Sequence, residues 1–102
     1  MIKITFKDNY ISMKGHAEYE DFGKDIVCAG VSSIITTTIN AIIKYDKDSI
    51  KYTSKSGNVT INIIKHDEIV DLLINNMKDL LKELETNYKK NIKIEEVHDE
   101  LT

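Results

Sequence analysis

The side chains best suited to chemistry in this sequence are Cys28, its single cysteine, and His16, twelve positions upstream. A thiolate is a strong nucleophile; an imidazole can take the thiol proton or, when charged, stabilise the thiolate. Cys28 lies in Asp25-Ile26-Val27-Cys28-Ala29-Gly30-Val31-Ser32, where a polar stretch gives way to a long apolar run, and His16 lies in Gly15-His16-Ala17. The same residues admit a plainer account, a buried small side chain and an unrelated surface histidine, since free cysteine is among the most buried residue types. Spacing alone does not separate the two, because catalytic pairs are defined by geometry.

The elements that would have to position this pair can be read from periodicity. Ile2, Ile4 and Phe6 alternate with Lys3, Thr5 and Lys7, the pattern of a half-buried strand. Asp8-Asn9 suits a two-residue hairpin turn, and a returning strand runs from Tyr10 to about Ala17 with Ile11 and Met13 on one face. Strict alternation would then aim His16 away from the core, unless the strand ends or bends at Gly15. Glu18 to Lys24 reads as an exposed loop, a candidate lid with Gly15 and Gly23 as hinges.

Asp25 is expected to cap a helix that continues to about Tyr45, with Val27, Val31, Ile34, Ile35, Ala41 and Ile42 as its apolar surface. That start makes Cys28 the third helical residue, where unpaired backbone N–H groups and the helix dipole favour a thiolate. Asp25 and Ser32, at helical spacing from Cys28, form a small polar seam on an otherwise apolar helix. Because Asp25 is itself negative, a cation such as protonated His16 is needed beside the sulfur.

Two further strands are expected around Ile50–Thr53 and Val59–Ile63, joined through Lys55-Ser56-Gly57-Asn58. Asp67 opens a second helix with Ile69, Leu73, Met77, Leu80, Leu84 and Tyr88 as its stripe, and Ile92-Lys93-Ile94 starts a last strand. The order ββαββαβ, with alternating strands, predicts an α+β two-layer sandwich: a largely antiparallel sheet with two helices on one face. The 102 residues suit one domain, spanning 1–102.

Composition narrows the function classes. One cysteine allows neither an intramolecular disulfide nor a cysteine-based zinc site and fits a reducing compartment, hence a cytoplasmic protein. His66 and His98 read as solvated, and three scattered histidines make no metal site. Glycines 15, 23, 30 and 57 match no phosphate-binding pattern, so no cofactor is expected. The Ser, Thr and Asn within Ile26–Ile43 argue against a membrane span. The net charge of −3 and the dispersed lysines argue against direct nucleic-acid binding.

The two blocks together, Gly15-His16-Ala17 and Asp25 to Ser32 with a short loop between them, resemble the signature of Prp, the ribosomal-processing cysteine protease family. The resemblance covers the whole chain in length and element order and departs at Gly30, where many members carry alanine. It implies a small homodimeric endopeptidase that removes the N-terminal extension of large-subunit ribosomal protein twenty-seven. It also implies catalytic roles for Cys28 as nucleophile and His16 as base, with Gly15, Asp25 and Ser32 as supporting positions. Two alternatives from other classes are a non-catalytic α+β domain that binds a ribosomal partner, with Cys28 buried, and a thiol redox sensor. The sensor, with no second cysteine, would depend on an intermolecular or small-thiol cap.

Overall fold

The computed structural model describes residues 1–15, 22–55 and 57–98; of residues 22–25 it describes the backbone alone. Seven elements follow one another: β1 (Ile2–Phe6), β2 (Tyr10–Lys14), α1 (Phe22–Tyr45), β3 (Ile50–Lys55), β4 (Asn58–Ile63), α2 (Glu68–Asn87) and β5 (Ile92–Glu96). The expected ββαββαβ order and two-layer α+β architecture are both present. The five strands form one sheet in the order β3-β4-β2-β1-β5. All pairings are antiparallel except β1 with β5, which run parallel in the register Ile2↔Ile92 and Ile4↔Ile94.

 Paired residues share a face, so Ile2, Ile4 and Phe6 line up with Ile11 and Met13, with Val59, Ile61 and Ile63, and with Ile92 and Ile94. That face is dry and both helices pack on it; its partners from α1 and α2 complete one core.

The turns follow from their residues. Lys7 N–H donates to Tyr10 O at 2.8 Å across the two-residue Asp8-Asn9 connection. Gly57 sits at φ +81° opposite the Lys55↔Asn58 pair that closes the β3–β4 hairpin. Asp67 caps α2 as expected, its side chain accepting from Val70 N–H at 2.8 Å.

Four sequence expectations are corrected. The first helix begins at Phe22, so Asp25 lies inside it and Cys28 falls in its second turn, past the four unpaired N–H groups at the start. The stripe of α2 is rotated from the expected one: Val70, Ile74, Met77 and Leu81 are buried, while Ile69 and Leu80 stay exposed. Packing against α1 selects this phase, because Ile69, Leu72 and Leu80 make the apolar arc of α2 wider than the surface available to cover it. The segment Ile26–Tyr45, despite its Ser, Thr and Asn, is long and apolar enough to cross a membrane, with mean hydropathy 1.9. Here its Val27, Val31, Ile35, Ile39 and Ile42 are core residues packed on the sheet and α2. The second strand ends at Lys14, three residues before the expected limit.

Candidate active site

Of the residues expected in the site, Gly15 directly follows the end of β2, while Cys28 and Ser32 stand on α1. Cys28 is half-buried and packs at the margin of the core, flanked along the helix by the fully buried Val27 and Val31. Ser32, one turn on, is exposed, so the Cys28–Ser32 line runs along the border between core and solvent. A structural thiol needs no access to water, whereas a nucleophile does; this border supplies both a fixed rotamer environment and an open side. Asp25 occupies the same helical face one turn earlier by its backbone position. Its side chain, and His16 with most of the expected Glu18–Lys24 lid, lie outside the described residues.

Gly15 explains how the chain leaves the strand. Its φ is +99°, a region that side-chain-bearing residues rarely adopt, and it directly follows the last residue of β2. A Cβ at Gly15 would stand 2.5 Å from the Met1 carbonyl oxygen, well inside contact distance. That carbonyl is held in place because Ile2 N–H donates to Asn91 O at 2.8 Å and the Ile2 side chain is buried. The period-2 rule therefore stops at Lys14, where the strand gives way to a glycine seated on the start of the first strand. The sequence offers a bend or a strand end at Gly15, and the strand does end just before it; its floor has no local signal, because Met1 and Asn91 are distant in sequence from Gly15.

The groups with shifted titration are elsewhere. Tyr45 donates its hydroxyl to Asp67 at 2.8 Å, which holds Tyr45 above its ordinary value. The Val70 N–H, followed by that same hydroxyl, holds Asp67 below its own. Tyr45 is seventeen helical residues from Cys28, about 25 Å along α1, too far to act at the thiol. Lys82 and, next, Lys78 lower the Glu96 carboxyl, and Glu96 in turn raises Lys82. His66 bridges Asp71, at 2.8 Å from Nδ1, and Asn9, tying α2 to the β1–β2 turn.

The described residues thus give a two-layer α+β domain with a half-buried thiol in the second turn of its first helix, and comparison with known proteins assigns that plan to a class of cysteine peptidases. The model of the family described as cysteine protease Prp matches residues 1–93, and the chain belongs to that family. Two relatives named ribosomal processing cysteine protease Prp are each 31% identical. The one from Staphylococcus aureus aligns over 87 residues, covering 82% of each chain. The one from Mycoplasma genitalium aligns over 98 residues, covering 94% of this chain and 96% of its own. A crystal structure of the S. aureus ribosomal processing protease Prp with a substrate peptide superposes with a TM-score of 0.83 at 26% identity. It covers 94% of this chain and 97% of that one. A second structure of the S. aureus protease, with a covalently linked product peptide, gives a TM-score of 0.80 at 27% identity.

Proposed function

We propose that this chain is the endopeptidase that removes the N-terminal extension of large-subunit ribosomal protein twenty-seven during ribosome assembly, acting as a cytoplasmic homodimer. The observation that carries this is the family match across residues 1–93, joined to a half-buried thiol at the helix position of the family motif. Cys28 is the nucleophile and His16 the base. His16 takes the thiol proton as the Cys28 sulfur forms a bond to the scissile carbonyl carbon. The tetrahedral intermediate collapses with cleavage of the C–N bond, and the proton passes from His16 to the leaving amine. Water, activated by the same imidazole, then hydrolyses the thioester and releases the carboxylate product and the free thiol.

The second-turn position of Cys28 bears on the oxyanion. Its own N–H is committed to the helix, so donors for the developing negative charge come from the preceding turn or from the Gly15 side. Asp25, one turn before Cys28 within the helix, serves as an orienting carboxylate for His16, the cap role being excluded by its interior position. Ser32, exposed one turn beyond, contacts bound peptide.

Mass spectrometry of the extended precursor incubated with the protein tests the reading. Cleavage should be lost by at least about a thousandfold in Cys28→Ser and in His16→Ala, and after iodoacetamide treatment, with the fold retained. Cleavage at the wild-type rate by either variant would remove that residue from the mechanism, and an intact precursor with the unmodified protein would remove the substrate assignment.

A further inference from the structure

The solvent face of the sheet carries charge that the linear sequence disperses. On this face stand Lys3, Lys14, Lys51, Lys55 and Lys93, against a single carboxylate, Glu95. Four of the lysines fall in one row across the strands. Lys55 pairs with Asn58; continuing the Met13↔Val59 pairing by one residue brings Asn58 beside Lys14; Lys14 pairs with Lys3, and Lys3 with Lys93. At about 4.8 Å per strand the row is roughly 19 Å long. All four lysines are exposed, and none forms an ion pair among the described residues.

Such a row works against the fold. Directly opposed like charges destabilise a sheet, and Lys14, Lys3 and Lys93 are consecutive in the row. The whole chain has a net charge of −3, so this face is positive on an acidic molecule. The next row on the same face runs Thr53, Thr60, Ser12 and Thr5, short hydroxyl side chains that form a low floor beside the lysine ridge, and ends at Glu95 beside Lys93. Every cationic side chain in the chain is a lysine, which engages phosphate as a point charge without the bidentate base recognition of arginine.

We infer that this face docks on the phosphate backbone of helical RNA, through Lys55, Lys14, Lys3 and Lys93 acting as one ridge. The ridge supplies positive charge to phosphates, and the low floor lets the backbone approach, with the exposed Thr53 and the half-buried Thr60 and Thr5 as partners for 2′-hydroxyl groups. The face has no exposed aromatic platform among the described residues, since its one aromatic, Tyr10, is half-buried, so bases of a single strand have nothing on which to stack. Binding is therefore electrostatic, indifferent to sequence and steeply salt-dependent. The row was invisible to a reading along the chain because its members come from four different strands. The inference stands on charge and register and is independent of the substrate proposed above.

Fluorescence anisotropy with a labelled 20-base-pair RNA duplex tests it. With four phosphate contacts, the logarithm of the affinity should fall against that of salt with a slope of about −3.6, and of about −0.9 in the triple variant Lys3→Gln/Lys14→Gln/Lys93→Gln. At 50 mM salt this variant should bind at least about tenfold more weakly than the wild type. A control of equal charge change off this face, Lys44→Gln/Lys47→Gln/Lys65→Gln, should bind as the wild type does. Removing opposed charges should leave the thermal midpoint of the row variant unchanged or raised, so lost binding would not reflect lost fold. The inference is overturned if the row variant binds like the wild type or if the control loses as much. It is equally overturned if a DNA duplex of the same sequence binds as well, or if polyglutamate competes better than RNA, which would indicate an acidic protein partner.

Discussion

Replacing Gly15 with alanine is the perturbation that couples the fold most directly to the chemistry. The residue has φ +99°, and holding alanine in a left-handed conformation costs about 1–2 kcal/mol. The new methyl group would stand 2.5 Å from the Met1 carbonyl oxygen, where ordinary contact begins at 3.4 Å, so the two must separate by about 0.9 Å. Met1 cannot yield freely, because the adjoining Ile2 N–H is bonded to Asn91 O and the Ile2 side chain is packed in the core. The displacement therefore falls on the segment leading to His16. A catalytic group moved by about 1 Å can lose about a hundredfold in rate, and that is the expected fall in kcat/KM for cleavage of the precursor peptide. The thermal midpoint should fall by about 5–10 °C, while Cys28 should still be alkylated by iodoacetamide, since α1 is not disturbed. Cleavage within threefold of the wild type, with an unchanged midpoint, would refute the coupling of Gly15 to His16, the base proposed above.

Other substitutions test the packing and the electrostatics. Gly30→Ala should stabilise the protein by about 0.5–1 kcal/mol in urea unfolding, because helix propensity outweighs the small shift required of the Leu84 methyl at 3.3 Å. Leu81→Ala, which empties a fully buried position of α2, should cost about 2–5 kcal/mol, whereas Leu80→Ala, at an exposed one, should cost well under half as much by the same measurement. Asp67→Ala should lower the thermal midpoint by roughly 5 °C through loss of the cap, and Asp67→Asn by much less. The Asp67 carboxyl titrates below its unfolded value of 3.8, so its contribution is complete above that value and lost as pH falls through the depressed folded one. Acid unfolding followed by circular dichroism should accordingly show a shallower decline below about pH 4 in Asp67→Ala than in the wild type.

Much of this architecture is legible along the chain because local rules govern it. Ile2, Ile4 and Phe6 alternate with polar residues, and they are buried as that alternation demands. Asp67 caps because its carboxylate meets Val70 N–H whatever else the protein does. Where two local solutions compete, packing decides. Both Ile69/Leu80 and Val70/Leu81 give a helical stripe, and only the position of α1 selects the second. Phe22, Gly23 and Lys24 look like loop residues because glycine weakens a helix, yet the helix extends through them and carries Cys28 a turn deeper. The Cys28 neighbourhood was marked by its Asp25 and Ser32 spacing, but the seating of Gly15 on Met1 and the assembly of the lysine row depend on strand order. Strand order is a property of the whole chain that no window of sequence contains.

The parallel pairing of β1 with β5 sets an order of assembly for the fold. The Met1–Ile2 backbone under Gly15 is secured by Asn91 and by Ile92, which come from the opposite end of the fold. A nascent chain can form the β1–β2 hairpin early, but its glycine turn rests on an unsecured edge until the last strand has emerged and docked. Contacts of such sequence separation form late, since the loop they close is long. The backbone on which Gly15 rests is thus secured only once β5 has paired with β1, so this corner of the fold is completed late in folding.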